Sequence, residues 1–312
     1  ACSAMLRAEE AVQKFIRIQT DDTELILQVA ENGRLYQSWF GERLLHESDL
    51  RNLPWAVRAG SDGSVSRRGW EVYSGSGNED YFEPAIAVTH NDGNPSTWLY
   101  YVSSHSEPVK GGTHTEITLR DDQYPVEVTL HYVAYAEENV FKTWSEIRHH
   151  ERKPVTLTRY ASTMLYFSRP EYWLTEFSGD WAREVQMSSQ QLRPGKKILD
   201  TKLGSRAAMH MHPFFELGLG APVREDEGEV LMGTIGWTGN FSMTFEVDNA
   251  GNLRVIPAIN PYASAYSLDP DRVFTTPEFV FTLSPDGTGP GSRNLQAWAR
   301  KYQLMDGKGS RM

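Results

Sequence analysis

Apolar and polar residues alternate at period two from about Phe15 onward, and this restricts the fold more than any other feature of the sequence. Val126, Val128, Leu130 and Tyr132 point one way while Glu127, Thr129 and His131 point the other, the pattern of a strand with one face in a core. Phe241, Met243, Phe245 and Val247 repeat it. The turn Asp248-Asn-Ala-Gly251 then leads into Leu253-Arg-Val-Ile256, which reads as a hairpin. Glu24 to Val29, a turn at Glu31-Asn-Gly33, and Leu35 to Trp39 form a second hairpin. Tyr160 to Phe167 and Val273 to Phe281 read as further strands, with Pro277 placing the latter at an edge or a bulge.

Helical spacing is scarce. It is clearest in Ser292 to Tyr302, where Leu295, Trp298 and Tyr302 recur on one face, Ser292 offers an N-cap, and Gly287 to Ser292 reads as a linker. Many short strands with almost no helix predict an all-β antiparallel sandwich. The 13 Phe, 14 Tyr and 9 Trp supply the apolar surface for a sizeable core. No stretch approaches the roughly 18 apolar residues of a membrane-spanning helix. Net charge is −10 with basic residues scattered, which argues against a nucleic-acid partner.

Site chemistry is sparse at this level. His210 and His212 would share one face of a strand, but only Glu216 lies near them in sequence, so no metal site is expected. His149 and His150 are adjacent, so their rings diverge, and a surface turn fits them. Gly75-Ser-Gly-Asn78 lacks the lysine and hydroxyl of a phosphate loop, and no cofactor is expected. Tryptophans in polar surroundings, Trp39, Trp55, Trp70, Trp173 and Trp181, offer flat faces suited to sugar rings, and Trp55 in the irregular stretch from Glu47 to Pro84 is the foremost of them. His131 is the strand histidine that an epimerase-type reaction would use, and no acid pairs with it in sequence. The single cysteine, Cys2, lies in a run of small and apolar residues resembling the end of an export signal; a periplasmic or secreted location is expected, with Cys2 as a possible lipid-attachment point.

Several segments together resemble the amino-terminal domain of glycoside hydrolase family 36 α-galactosidases, in a form similar to exported Bacteroidetes enzymes. They are Asn32-Gly-Arg-Leu-Tyr with Phe40-Gly-Glu; Gly77-Asn-Glu-Asp-Tyr-Phe-Glu-Pro-Ala85; Tyr132-Val-Ala-Tyr135; Phe177-Ser-Gly-Asp-Trp-Ala-Arg-Glu184; Gly239-Asn-Phe241; Ile259-Asn-Pro-Tyr262; and Thr276-Pro-Glu278. The resemblance implies a large β-supersandwich of the galactose mutarotase type over residues 15–290, after a leader remnant at 1–14. Residues 291–312 would form a linker helix toward a (β/α)8 barrel. That barrel, with its Asn-Asn-Trp-Glu-Ala-Thr opening strand and catalytic aspartates, is expected outside this chain, since it needs roughly 250 residues of its own. On this reading the chain carries no catalytic residue. It shapes a pocket for α-galactosides and builds a homo-oligomer, a tetramer by resemblance. Asp49, Trp55, Arg58 and Asp62 are the substrate-contact candidates; Asp180, Trp181 and Arg183 are candidates for facing the barrel. A free-standing sugar-binding module and an aldose-epimerase-like enzyme are the alternatives.

Overall fold

The computed structural model describes residues 14–53, 69–77, 82–206 and 210–304. Its first strands are β1 (Lys14–Gln19), β2 (Thr23–Val29), β3 (Leu35–Glu42), β4 (Ile86–Thr89), β5 (Leu99–Val109), β6 (Gly112–Asp121) and β7 (Val126–Tyr135). There follow β8 (Val140–His149), β9 (Val155–Tyr160), β10 (Leu165–Ser168), β11 (Tyr172–Asp180), β12 (Arg183–Gln191), β13 (Gly195–Asp200) and β14 (His210–Leu219). The last are β15 (Val230–Ile235), β16 (Phe241–Val247), β17 (Asn252–Ile259), β18 (Tyr266–Leu268), β19 (Val273–Thr275) and β20 (Phe279–Ser284). Helix α1 (Thr288–Trp298) runs into a π-helical turn, Ala299–Gln303.

A ten-stranded sheet in the order β12-β11-β14-β15-β20-β8-β7-β6-β5, with β19 also on β8, forms one layer. The sheets β1-β2-β3, β10-β17-β16-β13 and β18-β9-β4 face it, and every ladder is antiparallel. Alternation explains the arrangement, because the central strands of the large sheet, such as β6 and β7, turn a row of apolar side chains inward. Phe40 of β3 meets Phe141 of β8 and Phe281 of β20 edge-on at 5.7 and 5.8 Å, and Phe215 of β14 meets Phe245 of β16 at 4.9 Å. These T-shaped contacts lock the layers together.

A buried polar knot fixes the same region. Asn139, in the turn between β7 and β8 with φ of 51°, accepts hydrogen bonds from Thr20 and Thr23 and donates one to the Leu283 carbonyl at 2.9 Å. The turn of the first hairpin is thereby tied to the centre of the large sheet.

The opposite face of the large sheet is covered in part. Val133, Tyr135, Val140 and Val280 point outward there and are buried beneath Trp298, Leu295 and Tyr302. Lys301 donates to Glu137 and Glu138 at 2.7 Å each, and these bonds hold its ammonium above the usual lysine value. Gly111, at φ of 83°, leaves the room that the Tyr302 hydroxyl occupies.

Three sequence expectations change. Residues 160–167 are two strands, because Ala161 and Ser162 leave β9 to donate backbone hydrogen bonds to Ala85 and Pro257. The stretch 273–281 is also two strands, broken where Pro277 has no N–H to give and its carbonyl accepts the Ser162 hydroxyl at 2.7 Å. The helix starts at Thr288 rather than Ser292. Backbone N–H groups of Thr288 and Gly289 bond the carbonyls of Arg224 and Glu225, and Pro290 sits in the first turn, where its missing N–H costs nothing.

Phe141→Ala is expected to cost about 3–5 kcal/mol in equilibrium denaturation. A loss below about 1 kcal/mol would contradict the interlocked phenylalanine packing.

Candidate functional site

Beyond Tyr302 the outer face of the large sheet is left to polar groups, and strand register decides which of them meet. Glu116 on β6 pairs directly with His131 on β7, and His131 pairs with Trp144 on β8. His114 and Glu146 lie two residues along on the same face, so all five side chains converge.

His114 Nε2 lies 3.1 Å from His131 Nδ1, and the Glu116 carboxylate lies 3.5 Å from the latter and 3.9 Å from the former. The far nitrogens also face acids. His114 Nδ1 is 3.7 Å from Glu107 on β5, and His131 Nε2 is 3.9 Å from Glu146. That second separation is too long for a hydrogen bond, so His131 Nε2 is buried without a partner. The Trp144 ring lies parallel to the His131 ring with centroids 4.6 Å apart. Burial pushes the His131 imidazole below its ordinary pKa, against the opposing pull of Glu146 and Glu116. A groove of about 420 Å³ runs beside the cluster, lined by His114, Trp144, Lys142, Tyr135 and Tyr302 among others.

The sequence reading found His131 but no acid for it, and the structure corrects this with Glu116 and Glu146. The signals were His114-x-Glu116 and Trp144-x-Glu146, each a same-face pair on a strand. They become a site once hairpin register is known.

The residues expected at a sugar site are distributed otherwise. Asp49 sits in a 3-10 turn, Glu47–Asn52, where its carboxylate accepts the His46 backbone N–H at 3.3 Å. Trp55, Arg58 and Asp62 lie outside the described residues. Close to Glu47 is an open cleft of about 800 Å³ lined by Arg17, Asp21, Asp22, Glu42 and Arg43 among others. Asp180 and Arg183 face each other at the tip of the β11–β12 hairpin, where the Asp180 carboxylate accepts the Trp181 backbone N–H at 2.7 Å. The Trp181 side chain is 84% exposed.

Trp39 and Trp173 are strand residues, and Trp70 lies parallel to Tyr166, with centroids 5.8 Å apart. His149 is not in a surface turn. It is buried at the end of β8 and donates through Nε2 to the Leu268 carbonyl at 2.8 Å, while its neighbour His150 is exposed beside Asp271. His210 and His212 do share β14, and the group whose ligand atoms converge among the described residues is His114, Glu116 and His131 instead.

Geometry alone defines a large antiparallel β-sandwich domain with a cluster of titratable side chains on the outer face of one sheet. The chain belongs to the glycosyl hydrolase family 36 N-terminal domain family, whose model matches residues 33–269. It is 24% identical over 312 residues to α-galactosidase 2 of Pediococcus pentosaceus, covering 93% of this chain and 43% of that protein. It is 26% identical over 296 residues to α-galactosidase AgaA of Geobacillus stearothermophilus, covering 88% and 40%. The crystal structure of AgaA superposes with a TM-score of 0.81 at 25% identity, over 89% of this chain and 42% of that one. An α-galactosidase structure from Lactobacillus brevis shares the fold with a TM-score of 0.82 at 22% identity, over 95% and 42%. The chain thus spans about two-fifths of the length of these relatives.

One acid on this sheet has a testable charge cost. Burial holds the Glu216 carboxyl above the ordinary carboxylate range. The folded state then binds its proton more tightly than the unfolded chain does, so this contribution to stability is present at low pH and lost as pH rises through the folded value. Glu216→Gln is expected to raise the urea midpoint at about pH 7, with the gain vanishing toward about pH 4. An equal gain at both pH values would contradict the assignment.

Proposed function

We propose that this chain is the amino-terminal, non-catalytic sandwich of an α-galactosidase, which acts in retaining hydrolysis of terminal α-linked galactose when joined to a catalytic (β/α)8 barrel. The observation that carries the reading is the family match over residues 33–269, together with relatives named α-galactosidases that align over only 40–43% of their own length. In such an arrangement the hydrolytic carboxylates come from the barrel, as a pair on either side of the glycosidic bond. The sandwich helps to shape the galactoside pocket and supplies an oligomer surface.

Two surface features support the reading. The edge strand β12 is exposed along most of its length, and with the hairpin tip it presents Trp181, Val185 and Met187, an apolar patch suited to cover by another part of a larger protein. Helix α1 and the turn after it are anchored on the outer face of the sheet through Trp298 and Tyr302.

An assay on an aryl α-galactoside tests this. The 312-residue chain alone is expected to show no hydrolysis, and a version fused to the barrel of a family relative is expected to hydrolyse with retention at the anomeric carbon. Hydrolysis by the chain alone, or an inactive fusion whose barrel is active with its own sandwich, would overturn the proposal.

A further inference from the structure

Two imidazoles and a carboxylate converge on the outer face of β6 and β7 in a way that hydrolase chemistry elsewhere in a longer protein does not require. We propose that His114 Nε2, His131 Nδ1 and the Glu116 carboxylate form a binding site for a divalent transition-metal cation of zinc-like character. The mutual distances of the three donor atoms carry the proposal: 3.1, 3.5 and 3.9 Å. Ligands at about 2.0–2.2 Å from a tetrahedral cation stand about 3.3 Å from one another, so small side-chain rotations complete the geometry. Two nitrogens and one oxygen suit zinc, cobalt, nickel or copper and do not suit calcium or magnesium.

A second, independent feature points the same way. Metal-bound histidines present one nitrogen to the cation and hand the proton on the other to a carboxylate, which fixes the ring. Here each imidazole has its own acid behind it, Glu107 for His114 and Glu146 for His131. The side chain of His131 is 93% buried by its relative exposure of 7%, and its Nε2 has no hydrogen-bond partner while aimed at Glu146. Without a cation, one ring must hold a proton between the two facing nitrogens, as donor to the other. With a cation, that ring carries the proton on its far nitrogen, where Glu107 or Glu146 accepts it. The change is a tautomer shift that releases no proton to solvent from a neutral pair.

Lys142, whose ammonium lies 5.3 Å from the centre of the Trp144 ring, is already engaged, since it donates to Glu278 at 2.7 Å. Three protein donors leave the fourth position to water, and His114 also lines the groove of about 420 Å³ from which that water comes. Trp144, parallel to His131, gives the site an optical reporter.

The test uses tag-free, chelator-stripped 312-residue protein titrated with cobalt(II) and with zinc(II). One equivalent of cobalt is expected to produce the visible d–d bands of four-coordinate cobalt and to quench part of the tryptophan emission, with the quenching lost in Trp144→Phe. Zinc is expected to displace the cobalt. His114→Ala and His131→Ala are each expected to weaken binding at least tenfold, and Glu107→Gln with Glu146→Gln by about tenfold. The double variant His210→Ala, His212→Ala is expected to leave affinity unchanged. Circular dichroism checks each fold, and should His131→Ala misfold, the half-buried His114 decides. The proposal is overturned by an absence of saturable binding. It is equally overturned by tight binding that survives in folded His114→Ala, or by binding lost in the His210, His212 variant. Because none of these readouts is galactosidase activity, the result is separable from the functional reading above.

Discussion

Strands β7 and β8 are apolar toward both sides of the large sheet at one end, and much of the molecule is organised by the need to cover both. Val128, Leu130 and Tyr132 meet the core, while Val133 and Tyr135 look the other way. The core side is closed by the smaller sheets, through Phe40 and the Asn139 knot. The outer side is closed by α1 and the turn after it, whose Trp298 and Tyr302 rings lie against Tyr135 at 5.9 and 4.5 Å. Each such aromatic pair adds about 0.5–1.5 kcal/mol beyond the area it buries. A strand pair buried on both faces cannot slip in register without exposing one of its two apolar rows. That rigidity is what holds His131, Trp144 and Glu146 in line with His114 and Glu116.

Much of the fold was legible in the sequence, because period two survives wherever a strand has one wet face. The β2–β3 hairpin, the β16–β17 hairpin and the inner row of β7 follow from alternation and turn residues alone. The misses share a cause, which is contact distant in sequence. Ala161 and Ser162 continue an apolar-looking run, yet their backbone bonds go to Ala85 and Pro257. The glycine-rich segment from Gly287 reads as a linker until the loop at Arg224 and Glu225 supplies carbonyls that start a helix there. His149 looks like half of a surface pair because its acceptor, the Leu268 carbonyl, is more than a hundred residues away.

The site was less legible than the fold. Asp180, Trp181 and Arg183 were picked out as barrel-facing candidates, and the structure places them at the β11–β12 hairpin tip. The histidine cluster draws on β5, β6, β7 and β8, and its members are recognisable only after three successive registers are fixed. His131 alone was visible, isolated among thirty-odd residues of ordinary strand. The outer face thus carries two kinds of chemistry within a few residues of each other, apolar where α1 lies and titratable where it does not.

The claim on which this account most depends is that the apolar end of the outer face of β7 and β8 is covered by helix α1 and the turn after it. Nuclear Overhauser contacts between the Trp298 indole and the side chains of Tyr135 and Val133, measured in the isolated 312-residue chain, test it directly. Strong cross-peaks to both are predicted by the edge-on Trp298 and Tyr135 rings, 5.9 Å apart, and by the packing of Val133 in the same cluster. A Trp298 indole that shows contacts only within its own helix, with Val133 and Tyr135 open to solvent, would contradict it.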